Sequence, residues 1–330
     1  MFYSIIIPVF NRISEIDELL ESLTLQLYKD FEVIVVDDGS SIPCEPIINK
    51  YQGQLSIKYF YKPNSGPGQT RNYGAERSTG DYLIFFDSDC IVPTQYLLTV
   101  ENELQSKYVG FFGGPDSADS SFTKMQQAIN YSMTSIFTTG GIRGGKARID
   151  RFFPRSFNMG IDKSTFEDVG GFSSMRFGED IDLSIRVLKK GHRSRLFPES
   201  RVFHKRRTDL KKFFKQVFNS GIARINLYKK YPDSLKLIYA FPALFTGYSI
   251  LLPILTFILG WYILIPFILY FLAIFIDSTV KTKSLSVGLL SMIATFVQLT
   301  GYGCGFIYAF WKVIVLKQTK DSAFIEKFYK

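Results

Sequence analysis

The sequence predicts an α/β domain on a mainly parallel central sheet, followed by a basic interfacial helix and an all-α transmembrane region. Three observations predict it. Apolar runs of strand length at residues 4–9, 31–36, 57–61 and 82–86 end in polar or glycine-rich residues and alternate with stretches of helical periodicity. No charged residue occurs in 237–276 or 284–311, and either stretch exceeds the roughly 20 apolar residues that cross a bilayer. Between the two regions, residues 201–236 carry eleven Lys or Arg against two Asp, a net charge equal to the +9 of the whole 330-residue chain.

The first run, SIIIPV, is closed by Pro8 and then Asn11. A helix follows, with Ser14 placed to cap it, Glu15 and Asp17 favouring its positive end, and Ile16, Leu19, Leu20, Leu23 and Leu27 at helical spacing. The next strand runs into Asp37-Asp38-Gly39-Ser40. Strand, helix and strand of these lengths make a right-handed parallel crossover, which sets the polar ends at Asn11 and Asp38 side by side. The third strand leads into Asn64-Ser65-Gly66-Pro67-Gly68 and a short helix at 69–77 carrying Arg71. A glycine loop feeding a helix N-terminus suits an anion; a plain tight turn is the alternative. The fourth strand, Tyr82 to Phe86, is continuously apolar, as suits a strand covered on both faces, and stops at Asp87-Ser88-Asp89. Carboxylates at the carboxyl end of such a strand sit where open α/β sheets bind ligands. A turn at Ser88 lets both face one hard cation; an Asx turn is the bland reading.

A basic run directly before a membrane span marks that side as cytoplasmic and attracts anionic membrane lipids. A patch that abuts a hydrophobic span argues against nucleic acid. Met1-Phe2-Tyr3-Ser4 lacks a basic leader, so the soluble part is expected in the cytosol. Cys44, Cys90 and Cys304 are odd in number and scattered, which fits a reducing compartment. Residues 122–137 place Met125, Ile129, Met133 and Ile136 on one helical face, read as core packing. Residues 209–231 set Phe213, Phe214, Val217, Phe218, Ile222, Ile225 and Leu227 among Lys211, Lys212, Lys215 and Arg224, the pattern of a helix in the headgroup layer. The expected divisions are a catalytic domain at 1–208, the interfacial segment at 209–236, about three transmembrane helices in 237–316 and a basic tail at 317–330. The first charge-free stretch folds as two spans hinged near Gly260. The second is one long tilted span, or a hairpin if it breaks at the glycines of 301–305.

The motifs SIIIPVFNR, VIVVDDGS, GPGQTRNYG, GDYLIFFDSD, Asn158-Met159-Gly160, VGGF at 169–172 and GEDIDLSIR at 178–186 stand in order. Over roughly residues 1–231 the chain resembles the inverting family 2 glycosyltransferases of the GT-A fold. The resemblance implies a nucleotide-diphosphate sugar donor and a divalent Mn²⁺ or Mg²⁺ that stabilises the leaving diphosphate. It puts Asp89 on the metal, Asp87 on the ribose or on the metal through water, and His204 as a third ligand; a histidine facing lipid phosphate is the alternative. Asp38 becomes the partner of uracil or guanine, so the donor is of UDP or GDP type, while Asp37 holds its loop. Pro8, Val9, Phe10 and Asn11 wall the pocket, Ser88 separates the two acids, and Arg71 reaches base or phosphate. Inversion needs a base on the face opposite the leaving group. The resemblance assigns that role to Asp180, with Glu179 orienting the acceptor, whereas both acids also suit a helix N-terminus for electrostatic reasons alone. Residues 140–146, with Arg143 and Lys146 among four glycines, form a cationic flap over the diphosphate or a plain connector. The Gln-x-x-Arg-Trp sequence common in sugar-polymerising members is absent, which favours a single addition. The expected acceptor is a lipid-linked glycan in cell-surface polysaccharide or glycan synthesis. Transfer to polyprenyl phosphate is the nearest alternative, and a non-catalytic nucleotide-sugar-binding membrane scaffold is the alternative of another class.

Overall fold

The computed structural model describes residues 1–117, 122–139, 152–204 and 209–318, with His204 described by its backbone. The chain divides into two compact units, Met1–Asp119 with Asp150–Lys205, and Ser120–Ile149 with Arg206–Lys330.

The first unit opens with β1 (Tyr3–Val9), α1 (Ile13–Thr24), β2 (Phe31–Asp37), α2 (Glu45–Asn49), β3 (Ile57–Tyr61), α3 (Pro67–Ala75) and β4 (Tyr82–Phe86). There follow β5 (Cys90–Ile91), α4 (Tyr96–Ser106), β6 (Phe111–Gly113) and β7 (Asp116–Ser117). Two helices, α5 (Lys124–Thr134) and α6 (Ile136–Thr139), fall in the second unit. The chain returns with β8 (Asn158–Asp162), α7 (Lys163–Asp168), α8 (Glu179–Lys189), β9 (Ser194–Leu196) and β10 (Val202–His204).

The seven-stranded sheet has the order β3-β2-β1-β4-β8-β6-β9. Only β8 runs against the others, pairing antiparallel with β4 and β6. Because side chains alternate across a strand, the apolar runs cover both faces. Tyr3, Ile5, Ile7, Val33, Val35, Ile84 and Phe86 pack on Ile16, Leu19, Leu20 and Leu23 of α1 and Tyr96, Leu97 and Val100 of α4. Ile6, Ile34, Val36, Leu83 and Phe85 pack on Phe166, Phe172, Leu183 and Val187 on the opposite face. A Cβ on Gly74 would lie 2.6 Å from Ile6 Cγ2, so glycine lets α3 settle directly onto β1. A small second sheet, β5-β10-β7, pairs His204 with Cys90, the residue after Asp89.

Three local expectations change. Helix α1 starts at Ile13 with Arg12 in the N-cap position, and Ser14 Oγ donates to Glu15 at 3.0 Å instead of capping. Leu27 lies past the end of α1 and is exposed. The helical pattern in 122–137 is interrupted by extended backbone at Ser135, which leaves Ile136 exposed beyond the packed face.

In the second unit α9 (Leu210–Lys230), α10 (Phe241–Leu259), α11 (Ile265–Thr282) and α12 (Leu285–Ala309) are joined by short turns. Among the described residues three helical stretches are long and apolar enough to cross a membrane, Leu237–Leu259, Trp261–Thr282 and Leu285–Val315. The glycines of 301–305 do not break α12. They are its contact surface: a Cβ on Gly305 would fall 2.0 Å from the Phe218 carbonyl oxygen, and one on Gly301 would fall 2.6 Å from Val217 Cγ2. Gly221 of α9 answers them, its added Cβ lying 2.2 Å from the Tyr302 carbonyl oxygen. Small residues let helix backbones approach where lipid offers no hydrophobic drive. Helix α9 thus buries Phe213, Val217, Ile225 and Leu227 while Lys211, Lys212 and Lys215 remain exposed.

Because the Phe218 carbonyl is backbone and cannot rotate away, Gly305→Leu should cost about 1–3 kcal/mol through overpacking. Thermal denaturation in detergent checks this against Gly53→Leu, whose added Cβ meets nothing within 4 Å and which should leave the midpoint nearly unchanged.

Candidate active site

The carboxyl ends of β1, β2 and β4 lie on one rim of the sheet, because these strands are parallel and adjacent. At the end of β1, Pro8, Val9 and Phe10 line the rim, and the Val9 carbonyl accepts from Asp38 N at 2.8 Å. Asn11 then adopts a left-handed conformation, φ 53°, which asparagine tolerates better than most residues. Its N–H donates to Ser40 Oγ at 2.9 Å, and its Oδ1 accepts from Ser41 N and Ser41 Oγ at 2.8 and 2.9 Å. The kink is therefore fastened to the loop after β2.

Asp37 is fully buried and accepts from Ser40 N, Cys44 N and Tyr59 OH at 2.8, 3.2 and 3.2 Å. It holds the loop by backbone hydrogen bonds. Asp38, expected to meet the nucleobase, is also engaged by protein: it accepts from Ser65 N and Gly66 N, each at 2.9 Å, from Asn64 Nδ2 at 3.1 Å, and pairs with Lys62. The turn at Gly66, φ 89°, presents those two successive N–H groups to one carboxylate. In this structure Asp38 is the anchor of the 62–66 loop.

Arg71, one turn into α3, is 2% exposed. Its Nη2 donates to Asp87 Oδ1 at 2.5 Å and its Nη1 to Glu179 Oε1 at 3.3 Å, and its guanidinium lies 5.4 Å from the centre of the Phe172 ring. Expected to reach base or phosphate, Arg71 instead ties the acids after β4 to the acids of α8. The physical reason is burial, since a guanidinium removed from water must be paired.

Beyond β4, Asp87 remains a third exposed while Ser88 and Asp89 are buried. Arg12 Nη1 lies 2.5 Å from Asp89 Oδ2. Among the described residues no three His, Cys, Asp or Glu groups form a ready metal cage. The carboxylates of Asp87 and Asp89 are nevertheless hard oxygen donors of the kind Mg²⁺ and Mn²⁺ take, strand pairing brings His204 to the adjoining register position, and Asp89 already holds a cationic side chain. The two carboxylates are of the donor type that suits a divalent ion.

Helix α8 begins after Gly178, φ 80°, and carries Glu179, Asp180 and Asp182 in its first turn, where the helix dipole favours them. Asp180 Oδ2 lies 3.1 Å from Arg155 Nε. Burial first, and the charge of Asp180 next, push Glu179 up to about 7, with Arg71 acting in the opposite sense. Glu179 thus titrates near neutrality. A Cβ on Gly68 would stand 3.3 Å from Glu179 Cγ, so the glycine-rich loop also leaves room for this acid.

The structure joins Asp87 and Glu179 through Arg71, while Asp89 pairs with Arg12 and Asp180 with Arg155. Arg143 and Lys146 lie outside the described residues. Sequence reasoning missed Arg12 and Arg155. Arg12 had a signal in its place directly after the kinked Asn11; Arg155, in an irregular loop, had none.

A sequence profile described as glycosyl transferase family 2 matches residues 4–178. An uncharacterized glycosyltransferase of Haemophilus influenzae is 32% identical over 196 residues, covering 57% of this chain and 62% of that protein. One of Rickettsia felis is 41% identical over 86 residues, 26% of this chain and 14% of the relative. The matches thus span less than two thirds of these relatives' lengths. Among solved structures, the mannosyltransferase PcManGT from Pyrobaculum calidifontis, in complex with GDP-Man and Mn²⁺, aligns at a TM-score of 0.66 and 13% identity over 94% of this chain and 87% of that one. S. aureus TarS 1-349 in complex with UDP-GlcNAc aligns at 0.50 and 17% identity over 99% and 95%. At such identities the likeness is one of fold.

A carboxyl group whose folded pKa is raised from 4.5 to about 7 contributes stability that is complete below the unfolded value and lost as pH rises through the folded one. Wild-type stability should therefore fall by at most about 3 kcal/mol from this group between about pH 4.5 and 8. Glu179→Gln should flatten that part of the pH dependence of the melting temperature; parallel profiles would refute the assignment.

Proposed function

The chain belongs to glycosyl transferase family 2, and on that premise we propose that it moves one sugar from a nucleotide-diphosphate donor to a lipid-linked glycan, with inversion. The observation that carries the reading is the meeting of Asp87 with Glu179 across Arg71, each acid adjoined in sequence by the further acid, Asp89 or Asp180, that the reading uses. GDP-Man in one solved structure of this fold and UDP-GlcNAc in another support a nucleotide-diphosphate sugar and keep both UDP and GDP types in view. The Mn²⁺ in the first supports a divalent ion.

Asp89, with Asp87 and His204 beside it, would hold Mn²⁺ or Mg²⁺, which supplies Lewis-acid stabilisation of the departing diphosphate. The chain's own groups do the rest. Pro8, Val9, Phe10 and Asn11 with the Asp38-anchored loop frame the nucleoside pocket, beside Ser88. Arg71 acts as a positioning residue that keeps the donor-side and acceptor-side acids at a fixed separation. Asp180 takes the proton of the acceptor hydroxyl as it attacks the face opposite the leaving group. Glu179, held well above the usual carboxylate range by burial and by the charge of Asp180, hydrogen-bonds the acceptor and orients it. Arg155 holds the Asp180 carboxylate in place until the acceptor arrives. Arg143 and Lys146, as a flap, add positive charge over the diphosphate.

The candidate spans support a membrane-anchored enzyme, held in the same bilayer as a lipid-linked acceptor. Exposed Lys211, Lys212 and Lys215 on α9 suit anionic headgroups, and the positive-inside tendency puts the catalytic unit on the cytoplasmic side. The proposed divisions remain 1–208, 209–236, 237–316 and 317–330.

Membranes carrying Asp180→Asn should lose transfer by roughly 10²–10⁴-fold while donor affinity, read by calorimetry, changes less than about twofold. Near-full transfer in this variant would overturn Asp180 as base and favour polyprenyl phosphate, an acceptor that is already an anion. A wild-type protein that binds no nucleotide with or without Mn²⁺ or Mg²⁺ would overturn the donor reading altogether.

A further inference from the structure

Arg12 stands where local rules argue against it. The N-cap of a helix favours a small acceptor side chain, and the helix dipole disfavours a cation there. Arg12 nevertheless occupies that position in α1 and makes no side-chain cap hydrogen bond. The locked left-handed Asn11 directly before it makes the turn that carries the Arg12 side chain to Asp89. Such violations of local preference concentrate at functional positions.

The three arginines of the site differ in their freedom to move. Arg71 is buried between Asp87 and Glu179, and Arg155 faces Asp180 on the acceptor side. Arg12 is 25% exposed, with Asp89 at 2.5 Å and Glu15 at 3.7 Å. It can leave Asp89 without a cation being stranded in the interior. A divalent ion arriving at Asp89 meets this guanidinium as a like charge, and the guanidinium's natural new partner is a phosphate oxygen, which it can bind in bidentate fashion.

We propose that Arg12 is a built-in counter-cation for Asp89 that competes with the divalent ion in the free enzyme and passes to the donor diphosphate when ion and nucleotide arrive together. Metal binding is thereby made dependent on nucleotide. Arg12 is a positioning residue for the donor side, and the inference rests on the reading of Asp89 as the metal carboxylate.

The test uses the full chain in detergent, with Mn²⁺ alone followed by electron paramagnetic resonance, and UDP or GDP with Mn²⁺ followed by calorimetry. Arg12→Gln should bind Mn²⁺ alone roughly tenfold more tightly than wild type and bind nucleotide with Mn²⁺ roughly tenfold more weakly. Arg12→Lys, which keeps the charge, should bind Mn²⁺ alone as weakly as wild type. A damaged fold lowers both affinities, so the gain in Mn²⁺ affinity is the diagnostic result. If wild type binds Mn²⁺ with nucleotide and Arg12→Gln shows no gain for Mn²⁺ alone, the counter-cation role is overturned while the metal site stands. If wild type binds Mn²⁺ with neither nucleotide, Asp89 as a metal ligand fails and the inference fails with it.

Discussion

The arrangement of the site depends on one buried cation. Arg71 is almost wholly removed from water, and the desolvation of a guanidinium is offset only when carboxylates face it closely. Asp87 comes from the end of β4, Glu179 from the start of α8, and Arg71 from α3 between them in sequence. Each of the two acids reaches one Nη group, while the Phe172 ring closes a further side. Removing either acid would leave the cation short of a partner, and removing the cation would set Asp87, Glu179 and Asp180 against one another in a confined space. The close seating of α3 on β1, allowed by Gly74, is what puts the guanidinium at that depth. A helix-to-sheet contact less than one helical turn from Arg71 therefore bears on the geometry of the acids at the rim.

Much of this frame was legible in the residues. The strands at 3–9, 31–37 and 82–86 are predominantly apolar, the last of them continuously so, because they are covered on both faces, and their parallel order follows from crossover handedness. The acids at their ends were legible because polar groups at the close of a buried strand contrast with what precedes them. Partners were harder to see. Arg12 and Arg155 act by approach across 77 residues in one case and from an irregular loop in the other, and no periodicity announces either. Asp38 looked free to meet a nucleobase because the loop that wraps it, residues 62–66, reads only as a turn. The strands β5, β7 and β10, two or three residues each, are too short to carry an alternating pattern, yet they set His204 in register with Cys90.

The glycines of α12 illustrate a different ambiguity. In sequence, a run such as Gly301-Tyr302-Gly303-Cys304-Gly305 serves equally as a break or as a surface for close packing. What decides between them is a partner with matching small residues, and Gly221 of α9 is that partner. The same helix meets α10, where a Cβ on Gly303 would fall 2.3 Å from the Pro242 carbonyl oxygen. Within the second unit α12 is therefore the element on which its neighbours pack, and its polar side chains are used locally, as where Ser291 meets Ser278 of α11 at 2.7 Å.

At the core of the account is a single base, Asp180, working opposite a donor whose leaving group departs toward Asp89, with no covalent sugar intermediate on the protein. The stereochemistry of the product tests this most directly. With an α-linked nucleotide sugar as donor, proton NMR of the first-formed product should give the coupling of a β-linked sugar at the anomeric carbon. An α-linked product would contradict the account, because retention is not the outcome of a single displacement on the face opposite the leaving group.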